Sequence, residues 1–430
     1  MYLQISKTHA YMHTTSPAAY DADTHASRLP SALETATFAV TLLENNPLFN
    51  SGHGAVFTRD GINELEASVM VSRGYAKRGV GITGLRRVKN PIKLAKALLE
   101  HGQEDLGATR GVQSTAAGLN VPSAQGHGLI HGPTAEALAI RYGLDMVEPE
   151  YFFTEKRWDE HVRGLEREKA DQGLGTWSAE EYLPQGTCGA VALDSEGVIC
   201  AATSTGGLTN KLTGRIGDTP VTGAGFWAEE FTEGGELGAG SELRRPGPAV
   251  LLSTSLQALM ADCFPTPFLY APVPSLSRSG VTTTRSIGTS GTGNGDSFMR
   301  VAAARTFGSI ARFGGVSGAA ALTSVAGPSG ELQKSAEDRW GLAGEGEGGM
   351  IGIECVVVRD KAGNVVETRS EIIQDHNCGG MFRAWVDDHG SVLVRVWREK
   401  DEIASVYAGE GIAERIEEWA GEKRSLAFSI

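Results

Sequence analysis

The sequence predicts an α+β fold in which an antiparallel sheet is held between helical layers. Two observations carry this. Helical blocks alternate with hairpins along the chain. The hairpin strands are apolar on both faces, as strands covered from two sides must be. No apolar run reaches the roughly 18 residues that would suggest a membrane span. With 430 residues, 41% of them hydrophobic and 21% charged, the chain can bury a sizeable core without disulfide support.

The elements follow in order. Residues 31–46 predict a helix: Ser31 and Glu34 form a capping box, and Leu33, Ala36, Val40 and Leu43 line one face. The Gly-rich turn LFNSGHGAVFTRDG then leads into a short strand. Asn90 and Pro91 open a second helix, running PIKLAKALLEHG to a glycine stop at Gly102. Residues 134–142 are helical again. From 154 to 186 the chain is first highly charged, then rich in Gly and Ser, which reads as a solvated helix followed by a mobile connector.

A hairpin comes next: CGAVAL and VICAATS, joined by the turn DSEG at 194–197. Centring that turn pairs residues whose numbers sum to about 391, so Thr187 faces position 204, give or take one. Residues 229–287 are of low-density sequence and include one apolar helix candidate at 249–260. SGTGNGDSFMRVAAARTFGSIARF, at 290–313, reads as a glycine loop opening into one helix. MIGIECVVVRD, NVVETRSEII and GSVLVRVWRE predict strands. A final amphipathic helix would carry Ile412, Ile416 and Trp419 on one face.

A formal net charge of -13 excludes a general nucleic-acid binder, which needs clustered Lys and Arg. Five scattered cysteines, none in CxxC spacing, read as reduced and without a zinc site. With no N-x-[ST] acceptor and no secretory pattern at the start, the expected location is cytoplasmic, with no membrane partner.

Chemistry is suggested by hydroxyls at the open end of the hairpin, Thr187 on one strand and Thr205 on the other. A single hydroxyl needs a base, and no Ser-His-Asp, G-x-S-x-G or H-E-x-x-H pattern supplies one. Cleavage before Thr187 would free an α-amine titrating near 7.7–8.0, suited to a general base at neutral pH. Gly186 permits the backbone geometry of a strained scissile bond. The bland alternative is that Gly-Thr simply opens a strand.

The run QGTCGAVALDSEGVICAATSTGGLTNKLTGRIGDTPVTGAGFWAE resembles the nucleophile region of the plant-type asparaginase and isoaspartyl peptidase family of N-terminal nucleophile hydrolases. The resemblance extends through PLFNSGHGAVFTRDG, RVKNPIKLAKALLEHG, SGTGNGDSFMR and NCGGMFRAW, about three quarters of the chain. It implies a four-layer αββα sandwich and self-cleavage between Gly186 and Thr187 into chains 1–186 (core 31–153, connector 154–186) and 187–430, with 229–287 an inserted loop. It further implies that Thr187 is the nucleophile and Thr205 its supporting hydroxyl. Arg215 and Asp218 would hold the substrate's α-carboxylate and α-ammonium, a pairing that suits a two-pronged guanidinium and an aspartate. Thr292 and Gly293 would form the oxyanion hole, and Asn50 would support the nucleophile. Some relatives bind sodium through main-chain carbonyls, here those near Leu43, Glu44, Asn46, Phe49, Ser51 and His53. No cofactor is otherwise required, and relatives assemble as dimers of αβ units, so a homodimer is expected.

The implied reaction is hydrolysis of L-asparagine or of β-aspartyl peptides through an acyl-threonine. Two alternatives stay open: a glycosylasparaginase, whose branch TGNGD resembles although Gly186 stands where that branch has Asp, and a family member that neither cuts itself nor catalyses. The second gains weight because nothing in residues 1–30 resembles the opening strand and His-Gly-Gly turn of relatives. GEGEGG at 344–349 fits G-x-G-x-x-G formally, but a strand rather than a helix follows, so no dinucleotide site is expected. SGTGNGD lacks the Lys-Ser/Thr of a phosphate-binding loop.

Overall fold

Ser31 opens the first helix as the capping box requires: its hydroxyl accepts from the Glu34 N–H, and the Glu34 carboxylate accepts from the Ser31 N–H. The computed structural model describes residues 2–5, 29–106, 123–170, 186–233, 281–342, 344–386, 392–398 and 412–415. Its helices are α1 (Ala32–Glu44), α2 (Pro91–Leu106), α3 (Gly132–Arg141), α4 (Glu155–Ala170), α5 (Gly295–Arg300), α6 (Ala303–Phe313), α7 (Gly318–Ala326) and α8 (Glu331–Lys334). The strands are β1 (Tyr2–Ile5), β2 (Leu65–Val71), β3 (Gly79–Leu85), β4 (Leu129–His131), β5 (Cys188–Leu193), β6 (Ile199–Thr205) and β7 (Phe226–Glu233), followed by β8 (Val281–Gly293), β9 (Gly348–Asp360), β10 (Val365–His376), β11 (Gly380–Val386), β12 (Val392–Arg398) and β13 (Ile412–Arg415).

Two sheets result, one of nine strands in the order β13-β12-β11-β1-β5-β6-β2-β3-β4 and one of four in the order β10-β9-β8-β7. The chain divides into a larger unit (Met1–Glu230, Ser286–Cys355, Ser370–Ile430) and a smaller one (Phe231–Arg285, Val356–Arg369). In the smaller unit Arg285 pairs with Glu233 at 3.1 Å and stacks over the Phe231 ring. Asp360 caps the turn to Asn364 by accepting from two backbone N–H groups.

Within the larger unit, alternation along the strands sorts side chains onto two faces. On β2, Leu65, Ala67, Val69 and Val71 join α1 and α2 in the main apolar core, together with Ala190, Ala192, Cys200 and Ala202 of β5 and β6. The residues between them face the other way: Met70 packs with Phe226 and Ala228 of β7. Thr203 of β6 and Ser290 of β8 share a hydrogen bond of 2.7 Å. Glu229 of β7 binds Arg305 and Arg312 of α6, and Glu354 of β9 and Asp375 of β10 accept from Gly318 and Thr323 of α7. No described helix is long and apolar enough to cross a membrane.

Several expectations need correction. The nine-stranded sheet is mixed rather than antiparallel: β1 runs parallel to both β5 and β11, and β3 parallel to β4. An opening strand is therefore present in the middle of the sheet. Four residues are too few to show periodicity, but backbone pairing on both edges secures them. α2 continues past Gly102, a position where a Cβ would lie 2.6 Å from the Lys77 side chain; a helical glycine costs only about 1 kcal/mol. The helix expected after the glycine loop breaks in two at Ala302, whose φ is 46°. Ile412 lies in a strand, opposite Val396, not in a helix. Ile416 and Trp419, like the candidate helix 249–260 and the connector 171–185, lie outside the described residues. The charged helix α4 has a buried face: Arg157 donates to the Gly54 carbonyl at 3.0 Å, and His161 contacts Asn210. Strands β7 and β8 extend into the 229–287 stretch from both ends.

Candidate active site

The hairpin β5–β6 pairs Cys188 with Ser204 and Gly189 with Thr203, so paired numbers sum to 392. Continued one step past the strand, that register sets Thr187 opposite Thr205. Across the other edge of β6, Thr205 pairs directly with Glu66 of β2. Directly opposed residues share a face of a sheet. Thr187, Thr205 and Glu66 thus form one row, on the face that also presents Thr203 to Ser290. Ser204, pointing the opposite way, donates to Glu44 of α1 at 2.7 Å. Thr187 and Thr205 are both buried, at 7% and 3% exposure.

The turn after Thr205 is fixed from outside the hairpin. Asn50 donates through Nδ2 to the Gly207 carbonyl at 2.7 Å, and its own carbonyl accepts from the Gly206 N–H at 3.0 Å. Asn50 Oδ1 in turn accepts from the Val56 N–H. Gly206 is required here, since a Cβ would lie 2.6 Å from Asn50 Oδ1. Thr205 Oγ1 accepts from the Gly207 N–H at 3.0 Å, which orients its hydroxyl.

Two residues beyond Ser290 on β8, Thr292 shares its face by strand periodicity. The Thr292 hydroxyl is buried and finds no hydrogen-bond partner among the described residues. Gly293 follows with φ 145°, a conformation open to glycine, and the Glu347 main chain leaves no room for a side chain. Asn294 then caps α5 by accepting from the Ser297 N–H.

Arg215 and Asp218 lie beside α5. Arg215 donates to Asp296 at 3.1 Å. A Cβ on Gly295 would lie 2.6 Å from Asp218 Oδ1 and 3.1 Å from Arg215 Nη2, so the helix start closes on both residues. Asp218 Oδ2 is buried without a hydrogen-bond partner among the described residues. Burial, with Glu66 adding repulsion, pushes the Asp218 carboxyl up to about 7.

Sequence reasoning did not find two further residues. Glu66, 1% exposed, accepts from Thr83 Oγ1 and from the Gly217 N–H, both at 3.0 Å. Lys211 donates to the Glu64 carbonyl at 2.8 Å, and burial lowers its ammonium below the usual lysine range. An alternating polar stripe on an otherwise apolar strand was the available signal for Glu66, but it reads equally as a solvent face. The arrangement offers a hydroxyl pair, an unsatisfied donor, and a guanidinium beside an unsatisfied carboxylate. Around the expected sodium loop, main-chain oxygens of Glu44, Pro47 and Phe49 crowd Gly52 and Gly54 so closely that neither tolerates a Cβ. Among the described residues no cluster of His, Cys, Asp or Glu could hold a metal.

A family model described as asparaginase matches residues 6–127 and 121–251, together more than half of the chain. The chain is 37% identical over 198 residues to an isoaspartyl peptidase of Escherichia coli, covering 46% of this chain and 54% of that protein. It is 35% identical over 199 residues to an isoaspartyl peptidase/L-asparaginase of Rattus norvegicus, covering 46% and 50%, and 33% identical over 199 residues to one of Homo sapiens, covering 46% and 54%. The chain spans about half the length of the curated relatives it matches. Matched across more than half of its residues by that family's model, the chain belongs to the asparaginase family.

Proposed function

We propose that this chain is a self-processing threonine amidohydrolase that hydrolyses L-asparagine, β-aspartyl peptides or both, on a four-layer αββα sandwich. The observation that carries the reading is the row Thr187–Thr205–Glu66 on the face shared with the unpartnered Thr292 hydroxyl. Relatives named isoaspartyl peptidase and isoaspartyl peptidase/L-asparaginase support the substrate class.

Cleavage of the Gly186–Thr187 bond frees the Thr187 amine. That amine takes the proton from Thr187 Oγ1 as the oxygen attacks the side-chain carbonyl of the substrate. Negative charge then builds on the carbonyl oxygen, where the Thr292 O–H and the Gly293 N–H donate; each such donor contributes roughly 3–4 kcal/mol. The proton passes to the departing amine, leaving an acyl-threonine, and water attacks the ester to release aspartate. Thr205 supports the nucleophile's orientation. Arg215 and Asp218 receive the α-carboxylate and α-ammonium, and Asn50 holds the turn behind Thr205.

Sodium, if bound, would be held by main-chain oxygens of the loop from Leu43 through Asn46 and Phe49 to His53, where crowding at Gly52 and Gly54 supports a tight carbonyl cradle. Its contribution would be to stiffen the loop that carries Asn50. An ammonia-release assay on L-asparagine, with aspartate release from a β-aspartyl dipeptide, tests the reading. Turnover of at least one substrate is expected, and turnover of neither by processed protein contradicts it.

A further inference from the structure

Glu66 is a buried carboxylate that the reaction above does not use. It reaches the site from β2, across the sheet from Thr205. Its Oε1 accepts from the Gly217 N–H at 3.0 Å and from the Thr83 hydroxyl at 3.0 Å, and Oε2 lies 3.3 Å from the same Gly217 nitrogen. Gly217 stands in the turn between Arg215 and Asp218, and a Cβ there would lie 3.0 Å from both Glu66 Oε2 and Arg215 Nη1. The turn that carries both substrate-holding side chains is therefore tethered to the sheet at Glu66.

Charge gives the tether a second consequence. Glu66 and Asp218 are both almost fully buried, and one Asp218 oxygen has no hydrogen-bond partner among the described residues. The charged groups facing them are Lys211 and Arg215, with Asp296 across from Asp218. Lys211 is engaged by the Glu64 carbonyl and Arg215 by Asp296, and neither donates to the second Asp218 oxygen, which has no hydrogen-bond partner among the described residues. Lys211 and Arg215 offset part of this buried negative charge; an incoming α-ammonium offsets more of it and a neutral amide does not, which favours the free amine.

Resting on the reading that this site takes the α-amino-acid end of its substrate, we propose that Glu66 is a positioning residue: it fixes the Arg215–Asp218 turn and favours a free α-ammonium. Because burial beside Glu66 pushes Asp218 up to about 7, the empty site takes up a proton as pH falls. An incoming ammonium must then displace that proton, and binding weakens on the acid side.

Calorimetric binding of L-aspartate and N-acetyl-L-aspartate to processed wild-type protein, E66Q and E66A tests this. L-Aspartate should bind to wild type, and N-acetyl-L-aspartate at least roughly tenfold more weakly. E66A should lose roughly tenfold in affinity for L-aspartate, and E66Q, which keeps an acceptor for Gly217, should recover most of that loss. Wild-type affinity should fall from pH 8 to pH 6 more steeply than that of E66Q. Unchanged binding by E66A, no recovery in E66Q, equal binding of the N-acetyl compound, or no aspartate binding by wild type overturns the proposal. If E66A does not fold, E66Q and the N-acetyl comparison decide alone. Binding without hydrolysis refutes the proposed reaction and leaves the role of Glu66 standing; hydrolysis with an indifferent Glu66 does the reverse.

Discussion

Asn50 Nδ2 donates to the Gly207 carbonyl at 2.7 Å, tying the loop after α1 to the turn that ends the strand of Thr205. The Gly206 N–H returns a bond to the Asn50 carbonyl, so the two segments are clasped. Asn50→Ala leaves the Gly207 carbonyl and the buried Val56 N–H without their side-chain partner, a loss of about 1–3 kcal/mol. Self-cleavage, followed by intact mass, should slow by roughly tenfold or more. Asn50→Asp should be no better, because a carboxylate cannot donate to Gly207.

Thr292 separates function from stability. Its hydroxyl is buried and unpartnered, so Thr292→Val removes an unsatisfied group and should leave the melting temperature unchanged or higher. The same change should lower kcat on L-asparagine by roughly 100-fold or more, as loss of an oxyanion donor does. A lower melting temperature with unchanged kcat would make the hydroxyl structural.

Gly295 divides binding from cleavage. An alanine is well tolerated in the first turn of a helix, but here its Cβ would sit 2.6 Å from Asp218 Oδ1. Gly295→Ala should raise KM for either substrate by roughly tenfold while self-cleavage proceeds. Equal damage to both would place Gly295 in the folding of the loop instead.

Glu44 ties stability to pH. Burial pushes its carboxyl up to about 7, with bonds from Ser204 and Ile92 working the other way, and its second oxygen has no hydrogen-bond partner among the described residues. The folded state therefore binds this proton more tightly than the unfolded state. Stability should fall as pH rises from about 4.5 to about 7 and level off above, a contribution on the order of 3 kcal/mol. Glu44→Gln should flatten that slope and melt at a higher temperature than wild type near pH 8. An unaltered slope in chemical denaturation would contradict the assignment.

Much of this was legible in local sequence. Ser31 and Glu34 announced α1, and the turn DSEG fixed the hairpin register to within one residue of the observed sum of 392. What stayed hidden depends on partners distant in the chain. Glu64, Glu66 and Ser68 alternate with Leu65, Ala67 and Val69, a pattern ordinarily produced by one wet face; here the segment from Lys211 to Gly217 closes over Glu64 and Glu66, and all three polar residues are buried. β1 is too short to signal itself and exists through its pairing with β5 and β11. Ile412 carried helical spacing with Ile416 and Trp419, yet pairing with β12 overrides it over Ile412–Arg415.

Intact-mass analysis of purified wild-type and Thr187→Ala protein, with N-terminal sequencing of any fragments, is the most direct test of the proposed autolysis. The wild-type chain should resolve into two species, one of them beginning Thr187-Cys188-Gly189, while the variant stays at 45.4 kDa. A wild-type chain that remains whole on prolonged incubation, or a variant that splits at the same bond, contradicts it.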